Sequence, residues 1–449
     1  MFLHTPCPLS RGDVLHLGYS PPERGKGCVN FQRNWREFVT CISVYLSLFL
    51  FLSIPAYAQL YHSWREFATR AFLFFILLFN LSSIAYAQHD RTPETNNLYK
   101  NLKLLVDSGK IMFGMANPTT ISYVGRLNNH FDQSDCKDIT GAHPAFHESD
   151  FMWYRNNKLF KGWDIEAMKQ AYKRGAVIGY CWHINGRRSN SFRSKDRAGN
   201  FSADSMLVKN IVENSDCNTN SDLQWYLNQL DSVVIPVMIE LNCPIVFRPF
   251  HEMNGHWFWW GSDNCTPDEY IRLYRLTVDY LRSKGLKNLL FAWSPDKIAD
   301  FRYYPGDDYV DILGLDIYEP GIADYSQKDS VIKNLILITD YAASHDKVAA
   351  ITETGCRKTD DGRFRYPDQY PDFWTNYVLY PIAENEKARR IAWIMSWYAI
   401  NWNEDYSRDM YIPYLGCKRP NIDKAIEDFI KFYNNKVTVF EDNLKNMYK

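Results

Sequence analysis

The 449-residue chain has almost no net charge, with 51 Lys and Arg against 52 Asp and Glu. No Lys/Arg cluster disturbs that balance, which excludes the strongly basic face of a nucleic-acid binder. There is no C-x-x-C pair and so no zinc ribbon. A G-x-G-x-x-G dinucleotide turn, a phosphate loop and a G-x-S-x-G nucleophile elbow are also missing. No apolar run makes a comfortable membrane span of about 20 residues. What is abundant is apolar and aromatic: 46% of residues are hydrophobic and 16% aromatic, too much for disorder and enough for a sizeable core. Flat rings in such number also suit a groove for sugars, whose C–H faces stack on aromatic surfaces.

The first 87 residues do not read as fold. Trp35-Arg36-Glu37-Phe38 recurs as Trp64-Arg65-Glu66-Phe67, and Ala56-Tyr57-Ala58-Gln59 as Ala85-Tyr86-Ala87-Gln88, both at an offset of 29. Between the landmarks lie the apolar runs Cys41–Ile54 and Ala71–Ile84. A basic residue, a short apolar stretch and Ala-x-Ala form a secretory signal with its cleavage site. Residues 1–87 are therefore expected to be an extension with duplicated signal-like segments, cleaved after Ala87. Residues 88–449 then form the exported domain, whether periplasmic, cell-surface or extracellular. That domain has seven Cys, an odd number that leaves at least one thiol outside any intrachain pairing. Cys181 and Cys243 lie in apolar runs and read as small core residues.

From there the chain alternates. Continuously apolar runs, as expected of parallel strands covered on both faces, occur at Lys110–Ala116, His143–Phe151, Ala176–His183, Cys243–Glu252, Asn288–Pro295, Val310–Tyr318, Val348–Gly355 and Arg390–Tyr398. Amphipathic helical stretches separate them at Asp164–Arg174, Ser221–Leu241, Pro267–Lys284, Ser330–Ser344 and Pro371–Glu386, and Asn421–Tyr433 follows. Eight strand–helix units predict an α/β fold, a single (β/α)8 TIM barrel. A doubly wound sheet usually carries the glycine-rich turn that is missing here. Ile184–Asn220 is expected to be a long polar loop walling a cleft.

Chemistry in such a barrel sits at the carboxyl ends of the strands. The fourth run ends in His251-Glu252 and the seventh in Glu353. A carboxylate closing a buried strand is costly unless used or paired. Two of them, nearly across the barrel from each other, are what glycoside hydrolysis requires: a protonated acid and an ionised nucleophile. Trp182-His183, Asp316-Ile317-Tyr318 and Trp397-Tyr398 at other strand ends supply rings and hydrogen-bonding groups for a sugar. A zinc site is disfavoured, because His251-Glu252-x-x-x-His256 has one residue too many and Gly255 interrupts the helix it would need. His143 and His147 are not on one helical face either, given Pro144. No metal and no cofactor is expected.

The block Arg248-Pro249-Phe250-His251-Glu252-Met253-Asn254-Gly255-His256-Trp257-Phe258-Trp259-Trp260-Gly261 resembles the signature of glycoside hydrolase family 26, dominated by bacterial endo-β-1,4-mannanases. The resemblance extends from about Lys110 to Tyr433. It implies a retaining mechanism with Glu252 as acid/base and Glu353 as nucleophile. It further implies that His251 bonds near the nucleophile or the sugar 2-OH, and that Tyr318 holds Glu353. Trp257 and Trp397 would be platforms flanking the scissile bond, with Trp393 the alternative to Trp397, and His183 and Asp316 would line the same cleft. The implied substrate is β-mannan, galactomannan, glucomannan or a manno-oligosaccharide. The same barrel would serve a mixed-linkage β-glucanase, a xylanase or an exo-acting enzyme releasing mannobiose. A non-catalytic carbohydrate-binding barrel would lack one of the two carboxylates. No nucleic acid and no obligate protein partner is implied.

Overall fold

Short runs, each buried from end to end and all but the second mainly apolar, become the eight staves of a closed barrel. In the computed structural model, which describes residues 91–127, 130–154, 158–196, 198–321, 328–357, 365–398 and 410–449, these are β1 (Ile111–Ala116), β2 (Phe146–Asp150), β3 (Val177–Trp182), β4 (Ile245–Pro249), β5 (Leu289–Trp293), β6 (Ile312–Asp316), β7 (Val348–Thr354) and β8 (Trp393–Ser396). All pair in parallel in sequence order, and β1 pairs with both β2 and β8, which closes the ring. The predicted (β/α)8 barrel is the observed one. A two-residue strand, β9 (Thr438–Val439), adds to the start of β1. The export segment predicted for residues 1–87 lies outside the described residues.

Helices cover the strands because parallel neighbours need a crossover, and the crossover buries their outer face. Pro267–Ser283 illustrates the local logic. Thr266 and Glu269 form a reciprocal capping box, Pro267 opens the helix, and Tyr270, Leu273, Tyr274, Thr277, Val278 and Leu281 form the buried stripe. Tyr270 donates to the Phe250 carbonyl at 3.1 Å and Tyr274 to that of Ala292 at 3.0 Å, tying the helix to the strands' ends.

Four expectations need correction. The run Cys243–Glu252 is strand only to Pro249; Phe250 and Glu252 take positive φ values of 52° and 53°, so His251-Glu252 sits on a turn over the barrel mouth. Ser221–Leu241 is not one helix but Ser221–Gln229, a π turn over Leu230–Val234, and Ile235–Leu241, because Pro236 lacks the amide that would continue the first ladder. Pro381 does the same to Pro371–Glu386, where a π turn over Phe373–Leu379 precedes Tyr380–Ala383. The loop Ile184–Asn220 contains the helix Leu207–Glu213, whose Leu207, Val208, Ile211 and Val212 are buried. Its remainder is organised by fully buried Asp204, which accepts from the Arg188 amide at 3.0 Å and the Ser189 amide at 2.7 Å.

The barrel interior is filled rather than hollow. Phe146 lies between Gly114 and Gly179, where a Cβ would come within 3.1 Å and 2.5 Å of its atoms. Trp393 stacks on Phe146 at 4.8 Å and 10°, and is 1% exposed. Trp393 thus belongs to the core, whereas Trp397 is half-buried. Trp393→Ala is expected to lower the unfolding free energy by about 3–5 kcal/mol in urea titration. A loss below about 1 kcal/mol would contradict this interior placement.

Candidate active site

Arg248, on β4, has no exposed surface, so its charge must be met within the barrel. Three carboxylates meet it. Its Nη2 lies 2.7 Å from Glu148 Oε1 on β2 and 2.7 Å from Glu353 Oε1 on β7, and its Nη1 lies 3.1 Å from Asp316 Oδ2 on β6. Nη1 also donates to Ser294 Oγ at 3.3 Å. The planar guanidinium suits several fixed directions at once, and here it ties four strands together.

Glu353 is held on both oxygens, since Tyr318 donates its hydroxyl to Oε2 at 2.8 Å. The turn after β4 brings Glu252 opposite. Its backbone amide bonds the Ser294 carbonyl at 2.8 Å, and its Oε2 accepts from Trp257 Nε1 at 2.6 Å. A Cβ at residue 255 would stand 2.4 Å from the Trp257 ring, so only glycine lets the indole lie there. One carboxylate oxygen from each of Glu252, Asp316 and Glu353 lies within 4.8 Å of the other two. Glu252 Oε1 is enclosed and has no hydrogen-bond partner among the described residues. Burial first, then the charges of Glu353 and Asp296, push the Glu252 carboxyl up to about 8.

Two histidines lie beside this pair. His183 Nδ1 lies 2.6 Å from Asp150 Oδ2, and its Nε2 is 3.1 Å from His251 Nε2, which in turn is 3.8 Å from Glu353 Oε1. Burial alone would lower His183, but the Asp150 carboxylate outweighs it and the ring is raised above the usual histidine range. Burial, reinforced by His183 and Arg248, holds His251 well below that range. One ring is thus biased toward the imidazolium and its neighbour toward the neutral form. Trp397 packs against His183 at 5.7 Å between ring centroids.

His183, His251, Trp257, Tyr318 and Trp397 are therefore gathered around Glu252 and Glu353. Asp316, expected to line the cleft, does not. It is wholly buried, with Oδ2 on Arg248 and Oδ1 accepting from Thr352 at 2.6 Å, so it supports the site from beneath. Sequence reasoning missed Arg248, Glu148 and Asp150, although all three are charged residues inside apolar strand runs, the signal that selected the two glutamates. It also missed Asp296, and Arg357, whose guanidinium lies 3.4 Å above the Tyr318 ring. The oxygens of Glu252, Asp316 and Glu353, and the donors of Asp150, Cys181 and His183, are each close enough together to hold a cation. Arg248 already ion-pairs with Asp316 and Glu353 in the first set, and His183 already bonds Asp150 in the second. His143 and His147 are not aimed at one point: the first bonds Ser134 and the second the Pro144 carbonyl.

The family model described as glycosyl hydrolase family 26 matches residues 88–406. Among curated proteins, the mannan endo-1,4-beta-mannosidase of Bifidobacterium adolescentis is 38% identical over 170 residues, 34% of this chain and 16% of that protein. The mannan endo-1,4-beta-mannosidase of Bacillus subtilis strain 168 is 30% identical over 197 residues, 40% of this chain and 52% of that protein. The chain thus spans about half or less of the length of these two relatives. Among solved structures, a family 26 beta-mannanase from Bacteroides ovatus aligns with a TM-score of 0.64 at 28% identity, covering 80% of this chain and 98% of that one.

A carboxyl raised on folding makes the protein less stable as pH rises from the ordinary carboxylate range toward about 8, because the unfolded chain ionises first. Glu252→Gln is expected to melt several degrees above the native protein at pH 8–9, with the advantage gone by pH 4–5, in calorimetry across pH. Lower stability of Glu252→Gln at pH 9 would show that the carboxyl is not strained there.

Proposed function

Since this chain belongs to glycosyl hydrolase family 26, we propose that it is an exported endo-β-1,4-mannanase acting with net retention, Glu353 as nucleophile and Glu252 as acid/base. One observation supports retention: one oxygen of Glu252 and one of Glu353 come within 4.8 Å of each other, which favours the shorter of the two carboxyl separations. Inversion needs roughly 6.5–9.5 Å between carboxyl groups to admit a water, whereas retention needs about 5–5.5 Å. Mannan as substrate is supported by the relatives, and export by the duplicated apolar–Ala-x-Ala pattern.

In the first step a Glu353 oxygen attacks the anomeric carbon while Glu252 gives its proton to the departing glycosidic oxygen, leaving a glycosyl ester and a free sugar end. Burial and the neighbouring negative charges keep that proton on Glu252 near neutrality. Ester formation removes the charge of Glu353, so Glu252 ionises more readily and takes a proton from water. The water oxygen then attacks the anomeric carbon, releases Glu353 and leaves the configuration as it began. Tyr318 and Arg248 hold Glu353 in line, and His251 lies beside it.

Early-time product analysis on β-mannan, barley mixed-linkage glucan and xylan tests the substrate. Oligosaccharides of mixed length from mannan alone are expected; cleavage of glucan or xylan alone would overturn mannan, and a single disaccharide product would overturn the endo mode. Glu353→Ala is expected to lose about a thousandfold or more in kcat on every substrate. Glu252→Ala should keep far more activity on aryl glycosides with acidic leaving groups than on mannan, and equal losses on both would reverse the role. Wild-type activity should fall as pH rises through about 8, the limb set by loss of the Glu252 proton.

A further inference from the structure

The two-step reaction asks opposite things of Glu252: a proton in the first step and a negative charge in the second. Glu353 and Asp316 on the barrel strands, Asp296 after β5 and Tyr318 after β6 face it, and the three carboxylates oppose its ionisation. Two cations face it as well. One is the His183 imidazolium, which already pairs with Asp150, and the other is Arg357. Arg357 lies four residues beyond Glu353, just after the end of β7. Its amide donates to a Glu319 carboxylate oxygen, which ties the chain leaving β7 to the chain leaving β6. Its guanidinium lies 3.4 Å above the centroid of the Tyr318 ring, and Tyr411 packs against that ring at 6.0 Å between centroids. Gly355 permits this approach, because a Cβ there would collide with the Tyr411 ring. Tyr318 is buried and Arg357 half-buried. Besides Glu252 and Tyr318, the groups facing the guanidinium are Asp296, Glu319 and Tyr411.

A cation over an aromatic face is attracted to the ring. It also draws electron density from the ring, so that the phenol donates more strongly to Glu353 Oε2. Once the glycosyl ester forms, Glu353 has lost its charge and Glu252 must become a carboxylate inside an enclosed site, which is costly without a positive charge nearby. We propose that Arg357 is a positioning residue for both steps: stacked on Tyr318 it keeps that hydroxyl on Glu353, and its charge holds ionised Glu252 ready to take a proton from the attacking water. Its larger effect falls on the second step, because there Glu252 carries the negative charge that the guanidinium faces. This rests on the roles given to Glu252 and Glu353.

The test compares wild type, Arg357→Met and Arg357→Lys on a dinitrophenyl β-mannobioside, whose leaving group needs no proton, so that hydrolysis of the glycosyl ester limits kcat. Arg357→Met is expected to lower kcat about tenfold or more, with a burst of dinitrophenolate before the steady state, while kcat/KM, which reports the first step, falls less. The basic limb of kcat/KM on a β-1,4-linked manno-oligosaccharide should move to higher pH in Arg357→Met, because Glu252 of the free enzyme has lost a facing cation. Arg357→Lys keeps the charge without the planar stack and should leave that limb near its wild-type position. A packing role alone would lower kcat and kcat/KM together and leave the limb in place. Equal losses in the two constants, or an unmoved limb in Arg357→Met, overturn the proposal. Should Arg357→Met fail to fold, Arg357→Gln is held to the same two criteria. Equal losses of mannan and aryl glycoside activity in Glu252→Ala would instead overturn the acid/base assignment beneath the proposal. A wild type inactive on the mannobioside but active on dinitrophenyl β-cellobioside would sink the mannanase reading alone; the comparison then runs on that glycoside with the same criteria.

Discussion

A single buried guanidinium sets the geometry on which the site depends. Arg248 cannot be hydrated, so Glu148, Asp316 and Glu353 must come to it from three other strands. One cation among three carboxylates leaves the cluster acidic overall. That surplus is tolerable because Tyr318, Thr352 and Ser294 supply further donors to Glu353 and Asp316. The result is a Glu353 whose two oxygens have fixed partners and whose orientation is decided by β2, β4 and β6 as much as by its own strand.

Glu252 is held by a different principle. It stands on a turn with positive φ, beyond the last residue of β4, and among the described residues its side chain has one hydrogen-bond donor, the Trp257 indole. The two glutamates are thus separated chemically by their supports: one is surrounded by donors and a cation, the other is enclosed against apolar surface and like charge. That asymmetry makes one carboxyl suited to attack and the other to hold a proton.

The position of Trp257 is itself a tertiary product. The loop after β3 docks on its segment, with the Ser194 amide on the Trp257 carbonyl at 2.8 Å and the Trp259 amide on the Phe192 carbonyl at 3.1 Å. Asp204 underneath fixes the turn at Gly186–Ser189, where a Cβ on residue 186 would lie 2.4 Å from its carboxylate. A buried acid far along the chain thereby contributes to how Glu252 is presented.

The barrel was legible in the sequence because parallel strands covered on both faces are mostly apolar, and seven of the eight observed strands keep to this; β2, Phe-His-Glu-Ser-Asp, is the exception. The two glutamates were legible because a carboxylate at the end of such a run has no bland explanation once it is paired. Applied to Arg248 and Glu148, the same reasoning would have found the hub, and applied to Asp150 the partner of His183, but within a strand it could not say which charges share a face and meet. Helix interruptions at Pro236 and Pro381 were written in the sequence as prolines, though periodicity alone bridged them. Only the closed barrel decided that Asp316 lies beneath the site, that Trp393 is core while Trp397 borders the cleft, and that Asp296 stands beside Glu252. Each depends on contacts between residues distant in the chain, where register and side-chain direction are set by packing rather than by local pattern.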